Sequence, residues 1–246
     1  MNLFVDLGNS CLKWARCESG AWKVGSTLPA RQGDLRAALI EAWTGLPPAE
    51  QVVVCSVAGE AAYDAVVSAS QELWQRPVKR FVASAECGGV RNGYEDPVTL
   101  GGDRWAALIA ARRQFAEALC VVDCGTAVTV DALNEDGVFL GGVIFPGLSL
   151  LRTALVSGTA GAGTPSGQEG DCLARSTADC VAAGTRFGLA GAVERLVAEH
   201  RSKLGAEMRV VLTGGNAASL VPLLNLETEF VPDLVLRGLA AAEGVC

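Results

Sequence analysis

Apolar and polar positions along this chain follow two periods that trade places. Residues 2–6, 10–17 and 21–27 carry short β-type runs with turn signals at Gly8-Asn9 and Ser19-Gly20, which predicts a meander of three strands. Residues 33–44 switch to helical spacing, with Leu35, Leu39, Ile40 and Trp43 on one face, and Gly45 and Pro47-Pro48 end the helix. An apolar strand at 52–55, a helix at 58–74 and a strand at 78–83 follow. Residues 86–102 are glycine-rich and lack either period, so they read as a long loop, a kind usually functional in a compact domain. A helix from Asp103 to Gln114 carries an apolar stripe of Trp105, Leu108 and Ile109, continued by Phe115.

Then the pattern restarts. Strands are predicted at 119–123, 127–133 and 138–145, with Gly141-Gly142 and Pro146-Gly147 marking close backbone approach. A helix at 148–156, a Gly/Thr/Ser-rich loop at 157–170 and a long helix or broken pair at 177–204 come next, with Gly184, Gly188 and Gly191 as packing contacts. A strand at 209–212, a glycine turn at 213–216 opening a helix, a strand near 228–231 and a helix at 234–242 close the chain. Strands alternating with helices predict α/β layers around central sheets.

The restart is also chemical. Leu119 to Asp131 reads L-C-V-V-D-C-G-T-A-V-T-V-D, and Leu3 to Lys13 reads L-F-V-D-L-G-N-S-C-L-K. Asp123 and Asp6 each end a buried strand, with glycine two residues later and a small polar residue after that. A carboxylate there is costly to bury unless a cation, a donor or water meets it. The glycines open backbone N–H groups to a ligand. One D-x-G turn is an ordinary β-turn. Two in matched settings, nearly half the chain apart, fit a pair of phosphate turns, the arrangement phosphoryl transfer needs. The plain alternative is a duplicated hairpin without a ligand. The repeat divides the chain into domains at 1–116 and 117–246.

Composition narrows the classes. Half of the 246 residues are hydrophobic and 19% are charged, enough apolar material for a sizeable core and too little polarity for disorder. A net charge of −7 without clustered Lys and Arg argues against a nucleic-acid surface. No apolar run has the length of a membrane span. The strand pattern begins at Met1 with no basic leader, so the expected location is cytoplasmic. Nine cysteines with no C-x-x-C pair read as small apolar residues, Cys55, Cys120 and Cys180 among them, and the single histidine, His200, makes a zinc site a poor reading. The five tryptophans read as packing residues.

Further chemistry lies between the repeats. Tyr94 to Arg104 reads Y-E-D-P-V-T-L-G-G-D-R. Asp103 at a helix start can be a simple cap. In a glycine-lined loop beside Arg104 it can also accept the proton of an attacking hydroxyl, with Arg104 binding an anionic group. The T-G-G-N turn at 213–216 can be a plain connection or a contact for adenine or ribose. Thr177 can be a helix cap.

These motifs together resemble type III pantothenate kinases, members of the actin-like, sugar-kinase and Hsp70-like ATPase superfamily. D-L-G-N-S-C-L-K at 6–13, N-G-Y at 92–94, P-V-T-L-G-G-D-R at 97–104, D-C-G-T-A-V-T-V-D at 123–131, G-G-V-I-F-P-G at 141–147 and S-T-A at 176–178 carry the likeness across the chain. The resemblance implies an α/β fold of two ribonuclease-H-like (actin-like ATPase) domains with a mixed central sheet in each and a nucleotide cleft. It implies transfer of the γ-phosphoryl group of ATP to the primary hydroxyl of pantothenate, the first step of coenzyme A synthesis. Asp103 would then be the base. Tyr94, Gly101, Gly102, Asp103, Arg104 and Thr177 would contact pantothenate, Thr177 from a partner subunit of a homodimer. Asp6, Leu7, Gly8, Asn9, Ser10, Cys11, Leu12 and Lys13 would form the first phosphate turn and Thr126 the second. Asp6 would help place Mg²⁺, and Asp123 a monovalent cation, K⁺ or NH₄⁺. Gly102 and Ser10 depart from the family's frequent alanine and threonine. The rival readings are a kinase of the same superfamily acting on a sugar, and a regulator that keeps the fold without catalysis. A filament or chaperone ATPase is disfavoured by the chain's length.

Overall fold

The computed structural model describes residues 1–161 and 171–245, so most of the loop expected at 157–170 lies outside the described residues. The chain forms two compact units. The first comprises Met1–Ala116, Gly137–Phe139 and Asp233–Cys246, and the second Glu117–Asp136 and Leu140–Pro232. The last helix thus packs with the first unit, whereas the repeat in the sequence had grouped it with the second half.

The first unit holds β1 (Asn2–Leu7), β2 (Cys11–Glu18), β3 (Ala21–Val24), β4 (Leu28–Pro29), α1 (Leu35–Trp43), β5 (Gln51–Ser56), α2 (Glu60–Trp74), β6 (Val78–Phe81), β7 (Glu86–Cys87), β8 (Val90–Asn92) and α3 (Gly102–Gln114). The second holds β9 (Leu119–Cys124), β10 (Ala127–Leu133), most of β11 (Val138–Pro146), α4 (Leu148–Gly158), α5 (Thr177–Leu204), β12 (Arg209–Thr213), α6 (Ala217–Leu220) and β13 (Glu229–Phe230), and α7 (Leu234–Ala242) returns to the first.

The sheet of the first unit runs β3-β2-β1-β5-β6, with β4 on β2. The second contains β11-β10-β9-β12-β13 in the same relative order. The directions match as well. β1 lies antiparallel to β2 and parallel to β5, which is parallel to β6. β9 lies antiparallel to β10 and parallel to β12, which is parallel to β13. The repeat read from two aspartate turns is a repeat of whole sheets.

Alternation along β1 sets the layers of the first unit. Leu3, Val5 and Leu7 join Leu39 and Trp43 of α1 and Val66 of α2 in one apolar core. Each such side chain removed from water contributes about 1.5–3 kcal/mol. Asp34 caps α1, its carboxylate accepting from the Ala37 N–H at 3.1 Å. The residues of opposite parity, Phe4 and Asp6, point to the other face. There α3 and α7 pack so closely that a β-carbon on Gly238 would lie 1.8 Å from the Ala106 carbonyl oxygen, so only glycine fits. This contact buries α3 from Arg104 to Ala111 on nearly every side, beyond the single stripe its sequence suggests.

Three local expectations change. The loop at 86–102 contains the β7–β8 hairpin, turned by Gly88 and Gly89 at φ +57° and +78°, with strands too short to show alternation. Residues 177–204 form one continuous helix. Gly141 serves its backbone angle, φ +115°, with open space where a side chain would be, while Gly147 is the glycine at close approach. Among the cysteines, Cys55 and Cys120 are buried and free, Cys180 is exposed, and Cys17 is disulfide-bonded.

Candidate active site

Register builds the site of the first unit. Asp6, at the end of β1, pairs with Lys13 on β2 and with Cys55 on β5, and Cys55 pairs with Phe81 on β6. In-register neighbours share a face, so Lys13, Asp6, Cys55 and Phe81 form one row across the sheet. The start of α3 sits on this row. A β-carbon on Gly102 would be 3.1 Å from Cys55 Sγ and 3.2 Å from the Phe81 carbonyl oxygen. Asp103 is thereby carried to the neighbourhood of Asp6, and burial followed by the two carboxylates, Asp6 and then Asp103, holds the Cys55 thiol well above its ordinary range.

Asp103 is not the cap of α3. The N-cap is Gly101, and Asp103 lies in the first turn, its Oδ1 accepting the Arg104 N–H at 2.8 Å. A β-carbon on Gly101 would stand 2.6 Å from that Oδ1, so the glycine clears the carboxylate's position. Burial pushes the Asp103 carboxyl above its ordinary value. The Arg104 backbone hydrogen bond and the Arg104 charge oppose that shift only in part. A carboxylate made more basic in this way suits proton acceptance.

Arg104 is buried and donates from Nη1 to the Tyr94 hydroxyl at 2.7 Å. Its guanidinium lies 5.7 Å from the Tyr94 ring centre and 5.6 Å from that of Phe139, and the two rings stack at 5.5 Å. Phe139 enters because Val138 and Phe139 pair in parallel with Arg91 and Asn92. Nothing in its sequence neighbourhood signals that role.

The turn from Asp6 to Lys13 is closed by a hydrogen bond from the Gly8 N–H to the Cys11 carbonyl at 3.0 Å. Asn9, Ser10 and Cys11 are exposed, Asp6 and Lys13 partly so, and Leu7 and Leu12 are in the core. The two leucines therefore offer a ligand only backbone.

The second unit repeats the row with different chemistry. Asp123 on β9 pairs with Thr129 on β10 and Thr213 on β12, which sets a carboxylate between two hydroxyl-bearing residues. Its turn is gripped from two sides. The Gly147 N–H donates to the Thr126 carbonyl at 3.0 Å, and a β-carbon on Gly147 would be 2.5 Å from the Gly125 carbonyl oxygen. From the other side, the Asn216 N–H donates to the Cys124 carbonyl at 3.0 Å and its side-chain amide to the Gly125 carbonyl at 3.2 Å. Gly214, at φ +96°, leaves no room for a side chain, whose β-carbon would be 2.3 Å from Asp123 Oδ1. The T-G-G-N turn thus buttresses the aspartate turn. Burial, then Asp123, pushes the Cys124 thiol up to about 12.

Ser176 is the cap of α5, its Oγ accepting the Asp179 N–H at 3.2 Å, and Thr177 is the first helical residue. It is exposed at one end of an apolar groove of about 650 Å³ between α4 and α5, lined by Leu151, Leu155, Val181 and Leu189. Gly184 and Gly188 also line it, and a β-carbon on either would meet nothing within 4 Å, so they are open here and not packing contacts of the described chain.

A family model described as type III pantothenate kinase matches residues 2–199. The type III pantothenate kinase of Alkalilimnicola ehrlichii is 42% identical over 243 residues, covering 97% of this chain and 96% of its own. That of Nitrosococcus oceani is 37% identical over 247 residues, covering 98% and 92%. Among solved structures, the (R)-2-hydroxyglutaryl-CoA dehydratase component A of Acidaminococcus fermentans matches with a TM-score of 0.54 at 15% identity, covering 98% of this chain and 95% of its own. The activator of the 2-hydroxyisocaproyl-CoA dehydratase from Clostridium difficile, with bound ADPNP, matches at 0.52 and 14%, covering 99% and 94%. These two likenesses are of fold, and with the paired sheets they assign the two-domain actin-like α/β class.

Proposed function

The chain belongs to the type III pantothenate kinase family, and from that membership we propose that it transfers the γ-phosphoryl group of ATP to the primary hydroxyl of pantothenate with Asp103 as the base. The observation that carries the residue assignment is the row of Lys13, Asp6 and Cys55, with the Gly101–Asp103 turn of α3 seated on it. An alcohol is a weak nucleophile. In-line displacement needs it aligned, relieved of its proton and shielded from phosphate charge. Asp103 takes the proton at its carboxylate, made more basic by burial. Arg104, braced by Tyr94 and Phe139, holds the position at which an anionic acceptor is fixed, and Gly101 and Gly102 let it approach the backbone. Lys13 and the exposed backbone from Gly8 to Cys11 cradle phosphates, as do Gly125 and Thr126 in the second unit.

Two bound cations fit the donor sets. Mg²⁺ commonly takes one or two carboxylates with the substrate's phosphates and water, and Asp6 offers a carboxylate at the end of a strand. A monovalent cation suits oxygen donors, and Asp123 stands in register with Thr129 and Thr213. When bound, the two cations neutralise phosphate charge in the transition state.

The α4–α5 groove supports a homodimer as the working form. Leu150, Leu155, Val156 and Phe187 are exposed on these helices, and among the described residues nothing lies within 4 Å of where a β-carbon on Gly184 or Gly188 would stand, which allows another helix to come close. Thr177 at the end of this groove would then meet substrate as part of the pair. No described helix is long and apolar enough to cross a membrane. The proposed location is the cytoplasm.

A coupled assay of ATP-dependent pantothenate phosphorylation, with and without K⁺, tests the reading. Turnover on pantothenate that rises with K⁺ is expected. Turnover on a sugar panel instead, or none at all, overturns the assignment.

A further inference from the structure

No motif in the sequence points to Arg31, yet the structure places it on the first phosphate turn. The segment 28–31 runs along that turn residue by residue. Leu28 and Pro29 pair with Leu12 and Cys11. The Ala30 N–H donates to the Ser10 carbonyl at 2.9 Å, and Arg31 Nη2 donates to Asn9 Oδ1 at 2.6 Å. Residues 9 to 12 are each held by one member of the segment.

The last of these bonds fixes a polarity. A guanidinium carries donors only, so the Asn9 amide must give its oxygen to Arg31. Its two N–H donors then point away from Arg31. Both side chains are exposed, and among the described residues no carboxylate pairs with Arg31. In a chain of net charge −7, this leaves an uncompensated cation beside a turn whose amides and oriented Asn9 donors suit an anion. Both partners of the Arg31–Asn9 bond are exposed, so water replaces either one when the other is lost, and the bond's service to the fold alone is small.

We propose that Arg31 is a positioning residue for the phosphate chain of ATP. It turns the Asn9 amide so that its N–H groups face the phosphate oxygens, and it adds a positive charge to the turn. This rests on residues 6–13 being the ATP phosphate turn.

The test is a set of binding titrations, followed by protein NMR, of the full-length chain with a non-hydrolysable ATP analogue plus Mg²⁺ and, separately, with adenosine. Arg31→Ala should weaken the analogue about tenfold, the scale of one hydrogen bond to a charged group, and leave adenosine unchanged. Arg31→Lys keeps the charge without the fork that orients Asn9 and should fall between. Asn9→Asp, which replaces donors by a repelling oxygen, should weaken the analogue at least as much as Arg31→Ala. In the kinase assay Arg31→Ala should raise KM for ATP by the same factor, with kcat and KM for pantothenate unchanged. An Arg31→Ala protein that binds the analogue as wild type does, or that loses adenosine equally, overturns the inference, as does a wild-type chain that fails to bind the analogue. A wild-type chain that binds it but does not phosphorylate pantothenate would sink the substrate assignment alone, and the titrations would still decide the role of Arg31.

Discussion

A β-carbon on Gly102 would stand 3.1 Å from the Sγ of Cys55, so a glycine at this position lets the first turn of α3 lie close on the sheet. The same turn carries Asp103, and Cys55 is the in-register neighbour of Asp6. The thiol therefore lies between the helix that bears the proposed base and the strand that bears the proposed metal ligand.

Gly102→Ala installs the residue frequent in the family, but against the Cys55 thiol of this chain its methyl should press on both the thiol and the Phe81 carbonyl and shift Asp103 by a few tenths of an ångström. Misplacement on that scale should lower kcat about tenfold, with KM for ATP little altered. Adding Cys55→Ala gives the methyl room and should restore part of the loss. Steady-state kinetics on the four proteins measures it, and purely multiplicative effects of the two substitutions would show that the contact has no such role.

Asp103→Asn should cut kcat by about 10²–10⁴ as general-base catalysis is lost. Its effect on stability has the opposite sign. The folded carboxyl is raised by burial, so the fold binds this proton more tightly than the unfolded chain does. The stability it contributes is present at low pH and lost as pH rises through the folded value. At neutral pH the charged Asp103 is a cost, and the Asn protein should melt no lower than wild type. Thermal melts across the acid range should show that advantage shrinking as pH falls. A much lower melting temperature at pH 7 would mean that Asp103 holds the fold together.

Gly214→Ala should damage the second unit. The position combines φ +96° with a β-carbon 2.3 Å from Asp123 Oδ1 and 2.6 Å from the Cys124 backbone nitrogen. A non-glycine residue in so sparse a region costs about 1–3 kcal/mol before the clash is counted. The expected result is a lower denaturation midpoint together with a weakened response of turnover to K⁺. An unchanged K⁺ response in a folded variant would separate Asp123 from the cation.

His200 should make the fold acid-sensitive. It is half-buried on α5, with Nδ1 3.4 Å from the Sγ of buried Cys120. Burial lowers its pKa from 6.5, Asp131 opposing and Lys203 adding to the shift. A lowered value means the fold binds this proton less readily than the unfolded chain. Stability is then full above pH 6.5 and is lost as pH falls below it toward the folded value. Denaturant midpoints of wild type and His200→Gln across this window should diverge at the acid end, and parallel curves would clear His200.

The sequence by itself determined most of the elements and the repeat of the two aspartate turns. Asp6 and Asp123 were legible because a carboxylate at the end of a buried strand, before a glycine, breaks the apolar pattern, and breaks of that kind are local. The α/β class and the family likeness followed from the order of such signals. Tertiary structure alone decided which residues from distant segments share a surface. Cys55 reads as one more apolar residue of a strand until register sets it beside Asp6. Phe139 is one more core aromatic until β11 pairs with β8, and Arg31 is one more surface cation until the strand before it lies along the turn from Asp6 to Lys13. The helix Leu234–Ala242 belongs to the first unit because Gly238 lets it close on α3 at Ala106. Strand register and helix docking depend on pairings between residues far apart in the chain, and no local pattern of hydrophobic and polar positions encodes them.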